Sequence, residues 1–502
     1  MSGASPECMR TILSKYPCEL FCVLALLMLS ACTDRPGDSA VNTGKTALPD
    51  PDYTGITIPP NIAPLNFIVT EKGNKFHAEF TGTNGYSFTV SSKNGKIIIP
   101  PGKWKRLLSG NAGGETHISI FVKPKGGGWQ KYDPIKWYIA EEPVDAYISY
   151  RLLYPGYQSW NELSIRQRSL SDYRERSVIE NTVADDNCIN CHSFNNGRTD
   201  DFLFHMRGSM GGTYFYNSGR LTRTNLKTKE MKNGAVYPRW HPSGKFVAFS
   251  SNNIVQQFHT ADNKKIEVID LESSLVLYDV EKNEMMNVDL IEKEKYMDTY
   301  PEWSPDGTYL YFCRAMQVAE DYDYRDIKYD LYRVRFDRET RTFRGEEMVF
   351  NASGMDKSVA FPRVSPDGRF LVLTLADYGC FPIWHSEADL WLIDLETMEA
   401  SLLGLNSGFT DSYHSWSSDG RWLVFSSKRK DGLTARPYLA RIGDDGKSDK
   451  PFVLPQKDPA FYDRFLKSYN IPEFTELKIG LTPGKIRRAA SVTAAEAKWR
   501  GI

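Results

Sequence analysis

The residues best placed to do chemistry in this sequence are Cys188, Cys191 and His192, which form a Cys-x-x-Cys-His motif. Two thiols three residues apart on one helical turn can reach the two vinyl groups of a haem, and the next imidazole can ligate its iron. With eight Cys and eight His in 502 residues, composition alone gives roughly 0.002 such matches. The motif therefore predicts covalently attached haem c, with His192 as proximal ligand.

This motif resembles the haem-attachment site of c-type cytochromes, and the resemblance covers residues 188–192 only. It implies an electron carrier whose haem is attached after export. Three other interpretations stay open. Cys188 and Cys191 could form a disulfide. A zinc half-site would need a second ligand pair, and only the scattered His205, His241 and His259 are available. A thioredoxin-like pair would need a βαβ context, which is absent.

The segment 202–210 supplies candidates for the sixth iron ligand. His205 would give a bis-histidine site, whereas Met206 or Met210 would give a His/Met site of higher potential. We prefer His205, because a strand here would put it on the opposite face from Met206. Arg207 is a candidate partner for a haem propionate. An open sixth position is an alternative, and it would favour ligand binding or catalysis.

The N-terminus has the features of an export signal. An apolar run from Phe21 to Leu29 follows basic residues and is too short to span a bilayer. The next residues complete Leu29-Ser30-Ala31-Cys32, which resembles the lipobox of bacterial lipoproteins and implies lipidation of Cys32. We expect a signal peptide over 1–31, a flexible tether over 32–56, and a lipid anchor. The mature protein would lie on the periplasmic side of the outer membrane or at the cell surface.

Charge and hydropathy exclude other classes of protein. The 62 basic and 63 acidic residues give a net charge of −1, so the chain lacks the basic excess of a nucleic-acid-binding protein. A mean hydropathy of −0.45 and a single long apolar run exclude a membrane protein with several spans. The length exceeds that of one ordinary domain, since single cores stop growing near ~250–300 residues.

A turn motif occurs four times between residues 237 and 427. Each copy begins at an equivalent aromatic residue: Tyr237, Tyr300, Phe361 and Tyr413. Pro, Asp or Ser, and Gly then form a tight turn, and an apolar run predicts a buried strand. Further apolar runs follow each copy, so we expect about four strands per repeat, which is the composition of a β-propeller blade.

The copies resemble the Pro-x-Trp-Ser-Pro-Asp-Gly blade of TolB-like propellers, which belong to the WD40-like repeats. The resemblance covers roughly residues 145–480, with clear motifs only between 237 and 427. It implies a propeller of about six blades with a surface for binding partners. It implies no chemistry, because propellers have many functions.

The rest of the chain completes an all-β prediction. Residues 57–144 alternate apolar and polar positions without a helical pattern, which predicts an immunoglobulin-like sandwich. We expect a helix from Glu162 to Val183, then a small helical haem-binding insertion at about 180–212 within the first blade. Residues 481–502 are expected to form a C-terminal tail.

These predictions favour an exported, lipid-anchored haem protein that transfers electrons, with the propeller as docking surface for a redox partner. One alternative is a TolB-like envelope scaffold that binds protein or glycan, with the cysteines as a disulfide. Another is a haem oxidoreductase with an open iron site. We expect an electron carrier or binding protein rather than a catalyst, and no nucleic-acid partner.

Overall fold

A computed structural model describes residues 36–37, 39–156, 162–184, 186–260, 264–319 and 322–500. The predicted signal peptide and Cys32 lie outside these residues. In the part of the chain that is described, no helix has both the length and the apolar character needed to cross a membrane.

The described residues form six antiparallel four-stranded blades, so the prediction of an all-β propeller with about six blades is confirmed. Innermost strands of successive blades contact one another around a central axis. From the innermost strand outward, the blades comprise Ser468–Thr475, Tyr147–Leu153, Ser164–Ser169 and Glu175–Glu180 (blade 1); Cys188–Asn195, Arg198–Arg207, Gly212–Asn217 and Arg220–Asn225 (blade 2); Ala235–Trp240, Phe246–Phe258, Ile266–Asp279 and Glu284–Asn287 (blade 3); Tyr296–Trp303, Tyr309–Met316, Asp330–Asp337 and Thr342–Phe350 (blade 4); Ser358–Val364, Phe370–Ala376, Asp389–Asp394 and Ala400–Leu402 (blade 5); and Asp411–Trp416, Trp422–Ser427, Arg436–Arg441 and Phe452–Val453 (blade 6).

The two ends of the propeller meet in blade 1. Its innermost strand, Ser468–Thr475, comes from the C-terminal part of the chain and pairs with Tyr147–Leu153 from the N-terminal part. This pairing closes the ring, so the first and last blades are held together by backbone hydrogen bonds.

The segment predicted as a helical insertion is instead made of blade strands. The predicted helix from Glu162 to Val183 is wrong: Ser164–Ser169 and Glu175–Glu180 are strands, in which Ile165 lies opposite Ile179, and only a short 3₁₀ turn, Asn181–Ala184, follows. The apolar residues in this segment follow the two-residue period of strands rather than a helical period. The Cys-x-x-Cys-His motif begins the innermost strand of blade 2 rather than a helix.

Two sheets precede the propeller and pack on blades 6 and 1 through a shared core. One has seven strands, Val41–Thr46, Ile56–Ile58, Lys75–Gly82, Ser87–Ser92, Glu115–Lys123, Gln130–Asp133 and Ile135–Ile139, and the other has Pro49–Asp50, Phe67–Val69 and Lys96–Ile97. The first of these strands lies within the predicted tether, so that segment is partly sheet. The expectation of no helix is also wrong, because Pro101–Ser109 is helical and buries Trp104, Leu107 and Leu108 at helical spacing.

The predicted C-terminal tail packs against the propeller. Helix Pro483–Ser491 contacts blades 1 and 2, and Thr482 caps it by accepting a hydrogen bond from the Lys485 backbone N–H. The strands Ala495–Glu496 and Lys498–Trp499 then pair with the outer edges of blades 2 and 3. Shorter helical segments are Phe461–Arg464, Lys293–Lys295, Tyr324–Asp326, Ser353–Met355 and Pro382–Trp384.

Candidate functional site: an axial cavity beside the cysteine motif

One residue in each innermost strand has a left-handed backbone conformation at a register shift. The six are Cys191 (φ 54°), Tyr237 (50°), Tyr300 (49°), Phe361 (53°), Tyr413 (49°) and Ile471 (49°). Positive φ is uncommon for residues with a Cβ, and such β-bulges redirect side chains. All six line one cavity on the propeller axis, and we call them the axial ring. The second cysteine of the motif is therefore equivalent to the aromatic residues that begin the repeats.

Two degenerate copies of the repeat account for the members of the ring that sequence reasoning missed. Cys191-His192-Ser193-Phe194 matches Tyr413-His414-Ser415-Trp416, and Ile471-Pro472-Glu473-Phe474 matches Tyr300-Pro301-Glu302-Trp303. These matches are visible in the sequence once the Asp-Gly turn is no longer required. They identify the innermost strands of blades 2 and 1.

The axial cavity has a volume of about 340 Å³, within the ~300–1,000 Å³ usual for small-molecule sites. Its walls are largely aromatic: the rings of Tyr237 and Tyr300 stack at 4.3 Å, and those of Phe361 and Tyr413 meet edge to face at 5.0 Å. The hairpin formed by Phe246–Phe258 and Ile266–Asp279, the longest strands among the described residues, contributes Ile254 and neighbouring amides to its lining.

Both motif cysteines are free thiols. Cys191 lines the axial cavity, and Cys188 lies opposite Arg207 in the strand register. The Asn190 side-chain amide donates a hydrogen bond of 3.3 Å to the Cys188 sulfur. Burial raises the pKa of the Cys188 thiol, although the nearby Arg151 and Arg207 oppose this shift. The thiol form therefore predominates at neutral pH.

The first thiol is positioned by a glycine turn. The Asn187 side chain accepts a hydrogen bond from the Met210 backbone N–H and donates one to Ser209, both in the turn after Arg207. Gly208 in this turn has φ 124°, and a Cβ there would lie 1.9 Å from Asn187 Oδ1. Only glycine fits this close approach beside Cys188.

We expect Gly208→Ala to lower the free energy of unfolding by about 1–3 kcal/mol, because it combines backbone strain with a collision. Urea denaturation measures the change. Gly234→Ala is the matched control, since a Cβ at Gly234 meets open space, and it should stay within about 0.5 kcal/mol of the parent. Equal effects of the two substitutions would contradict the proposed constraint.

His192 is held between blades by its own hydrogen bond. Its side chain is 1% exposed, Nε2 donates to the Ile471 carbonyl oxygen at 3.0 Å, and buried Nδ1 has no hydrogen-bond partner. Burial, with a smaller contribution from Arg151, lowers the pKa of His192 to about 3, so the imidazole is neutral at pH 7. His414 also donates from Nε2, at 2.8 Å, to a backbone carbonyl of the preceding blade, and its Nδ1 is unpartnered. Its acceptor, Val372, lies on the second strand of blade 5, whereas Ile471 lies on the innermost strand of blade 1. The repeat position therefore shares a contact with the preceding blade, but not the acceptor.

A layer of charged residues forms the floor of the cavity. Arg239 contacts Glu302 at 2.5 Å, Arg363 contacts Glu302 at 3.3 Å, and Glu473 lies 4.0 Å from Arg239. These four residues, which we call the charge layer, line a second cavity, and all of them except Glu302 also line the axial cavity. Burial raises the pKa of Glu473 to about 7, while the two arginines oppose the shift.

The structure brings only part of the predicted haem site together. Cys191, His192 and Arg207 line the axial cavity, but His205, Met206 and Met210 do not. The His205 ring faces blade 3, 5.9 Å from that of Phe249, and its Nδ1 lies 2.8 Å from Thr213 Oγ1 on the neighbouring strand of blade 2. Met206 is buried in the core between blades 1 and 2, and Met210 packs at its edge. The expected opposite faces of His205 and Met206 are present, but both faces of a blade pack against neighbouring blades. None of the three candidates is therefore placed as a sixth ligand.

The chemistry of the cavity residues fits a haem. The Cys191 thiol, the His192 imidazole, aromatic side chains and the guanidinium groups of Arg151 and Arg207 line one space, and the Cys188 thiol lies beside it, opposite Arg207 in the strand register. The Nε2 hydrogen bond of His192 must be released before this nitrogen can ligate iron. No group of three or more His, Cys, Asp or Glu side chains within the described ranges could hold a metal ion unaided, so iron here would depend on porphyrin nitrogens.

Comparisons with solved structures find proteins of low similarity to this chain. Oligogalacturonate lyase from Vibrio parahaemolyticus is 11% identical, covers 60% of this chain and 92% of its own, and has a TM-score of 0.32. A nidogen/laminin complex chain is 7% identical, with coverages of 66% and 100% and a TM-score of 0.38. A puromycin-hydrolysing peptidase of Mycobacterium tuberculosis is 12% identical, covers 83% of this chain and 57% of its own, and has a TM-score of 0.35. No family model and no curated protein matches. At such similarity the propeller assignment rests on the six blades themselves.

Proposed function

We propose that the chain is an exported, lipid-anchored haem protein in which Cys188 and Cys191 carry haem c in or beside the axial cavity. The observation that supports this most directly is that Cys191, His192 and Arg207 line the same cavity. When bound, the haem would supply one-electron transfer. The propeller would serve as docking surface for a redox partner, and the lipid on Cys32 would hold the protein at the outer membrane or cell surface.

The chain's own residues would bind, orient and enclose the group. The thiols are the attachment points, and His192 is a neutral imidazole at pH 7 with an unprotonated nitrogen. Aromatic members of the axial ring provide flat apolar walls, and the blade 3 hairpin contributes Ile254 and amide side chains to the lining. A buried, largely apolar surrounding favours the form of a redox group with the smaller net charge.

Two alternatives each have an observation in their favour. The equivalent positions of His192 and His414 in the repeat, each donating from Nε2 to the preceding blade, suit a TolB-like scaffold that binds protein or glycan, in which the motif is a repeat copy with two cysteines. A haem oxidoreductase with an open iron position is the other alternative. Among the described residues that line the axial cavity, His192 is the only His or Met, so the lining offers no second side chain of these types to the iron.

The deciding experiment is mass and absorption spectroscopy of the mature protein, made in cells that can attach haem to c-type cytochromes. We expect an added mass of one haem per chain and a haemochrome spectrum, both lost in Cys188→Ala/Cys191→Ala. Cys313→Ala is the matched control, because this thiol is buried in blade 4 outside the cavity lining. A colourless, folded parent protein would refute the proposal and leave the scaffold alternative.

A further inference from the structure

Two arginines beside the thiols lack carboxylate partners. Arg151 lies on the second strand of blade 1, and Arg207 ends the second strand of blade 2. Both line the axial cavity. No hydrogen bond or ion pair involves the side chain of either arginine in the described part of the chain, whereas Arg239 and Arg363 in the same cavity both contact Glu302. The cavity therefore contains two positive charges that the protein does not neutralise.

The burial of Arg151 makes it unfavourable to leave its guanidinium group without a partner. Its Nε is buried and has no hydrogen-bond partner, and leaving a buried donor unsatisfied costs about 1–3 kcal/mol, or more for charged groups. A guanidinium presents several N–H donors in a plane and suits carboxylate or phosphate oxygens. A ligand with such groups could pair with both arginines, of which Arg151 is half-buried and Arg207 is exposed to solvent.

The strand register places both guanidinium groups near the motif. Arg207 lies opposite Cys188 in the pairing of the first two strands of blade 2. Arg151 lowers the pKa of the neighbouring His192, and both arginines oppose the raised pKa of Cys188, which supports their proximity to the motif. The arginines come from different blades, so a ligand with two separated acidic groups could engage both.

We propose that Arg151 and Arg207 form a two-site anion clamp for a planar aromatic ligand that bears two carboxylates. This inference rests on the proposed function, in which that ligand is haem and the carboxylates are its propionates. Aromatic residues of the axial ring would contact the flat face of the ligand, and the clamp would fix its orientation. The clamp adds Arg151, a residue that no sequence motif identifies, to the binding site.

The test uses the full-length Cys188→Ala/Cys191→Ala chain, so that covalent attachment is removed and the cavity is free. Metal-free protoporphyrin IX and its dimethyl ester, which lacks free carboxylates, are titrated in the same detergent and followed by porphyrin fluorescence. Because a hydrogen bond to a charged group contributes about 1.5–3 kcal/mol, Arg151→Gln and Arg207→Gln should each raise the Kd of protoporphyrin IX about 10-fold or more. The Kd of the ester should stay within about twofold of the parent value.

Arg220→Gln is the matched control, since this arginine is exposed on the outer strand of the same blade, and it should change neither Kd. Equal weakening of acid and ester by Arg151→Gln or Arg207→Gln would mean that the arginines only support the structure, and would overturn the clamp. Absence of protoporphyrin binding would overturn it as well. Absence of haem from the mature parent protein would refute the proposed function, and the porphyrin titrations would still decide whether the clamp exists.

Discussion

Replacing His192 with glutamine is expected to shift the absorption bands of the proposed imidazole-ligated haem, whereas the same change at His414 leaves the spectrum unchanged. Both histidines are buried and donate from Nε2 to a backbone carbonyl of the preceding blade, yet only His192 follows two thiols. Glutamine retains an N–H donor, so each variant should lose less than about 2 kcal/mol of stability. Comparing the two variants therefore separates the loss of a contact between blades, which both share, from the loss of the proposed haem ligand, which only His192→Gln causes.

Oxidised and reduced absorption spectra of the purified variants test this expectation, with urea denaturation as the measure of folding. If His192→Gln and His414→Gln both keep the parent spectrum, His192 is only a contact between blades, and its assignment as iron ligand is wrong. If both variants show the same change in absorption bands and the same loss of stability, the spectral change follows from unfolding. That outcome also contradicts a specific ligand role for His192.

The repeats made the propeller predictable from sequence, but only where they retained their full turn. The copies beginning at Tyr237, Tyr300, Phe361 and Tyr413 contain both the aromatic start and the glycine of the turn. The innermost strands of blades 1 and 2 keep the bulge but lack the Asp-Gly turn, so they were not recognised. What the six copies share physically is the backbone conformation at the axial ring, which tolerates Cys191 or Ile471 in place of an aromatic residue.

The candidate site could be predicted only in part, because spacing in the sequence identifies residue types but not where the fold places their side chains. The cysteines and His192 were identified by spacing, yet the helical context of that spacing in cytochromes led to a helix where the chain forms a strand. Alternation gave His205 and Met206 opposite faces, but in a propeller both faces of a strand meet neighbouring blades. In blade 2, residues at the bulge and at a strand end, such as Cys191 and Arg207, line the axial cavity, whereas His205 and Met206 do not.

Replacing Glu302 with glutamine is expected to destabilise the propeller by about 3–5 kcal/mol, because it leaves two buried guanidinium groups with too little negative charge. Glu302 is the carboxylate shared by Arg239 and Arg363, and its side chain is only 6% exposed. The only other carboxylate of the charge layer, Glu473, lies 4.0 Å from Arg239. Burial raises its pKa to about 7, so at neutral pH it is only partly ionised.

Equilibrium urea denaturation at pH 8 measures this loss, and a surface pair provides the control. Lys232 and Glu272 are 2.6 Å apart with side chains 76% and 41% exposed, so Glu272→Gln should cost less than about 1 kcal/mol. The double variant Glu302→Gln/Arg363→Gln removes one charge of each sign and should be more stable than Glu302→Gln alone, since Arg239 and Glu473 can still pair. Two outcomes would show that the charge layer does not act as a coupled unit. In one, the changes in unfolding free energy caused by Glu302→Gln and Arg363→Gln simply add in the double variant. In the other, Glu302→Gln loses no more stability than Glu272→Gln.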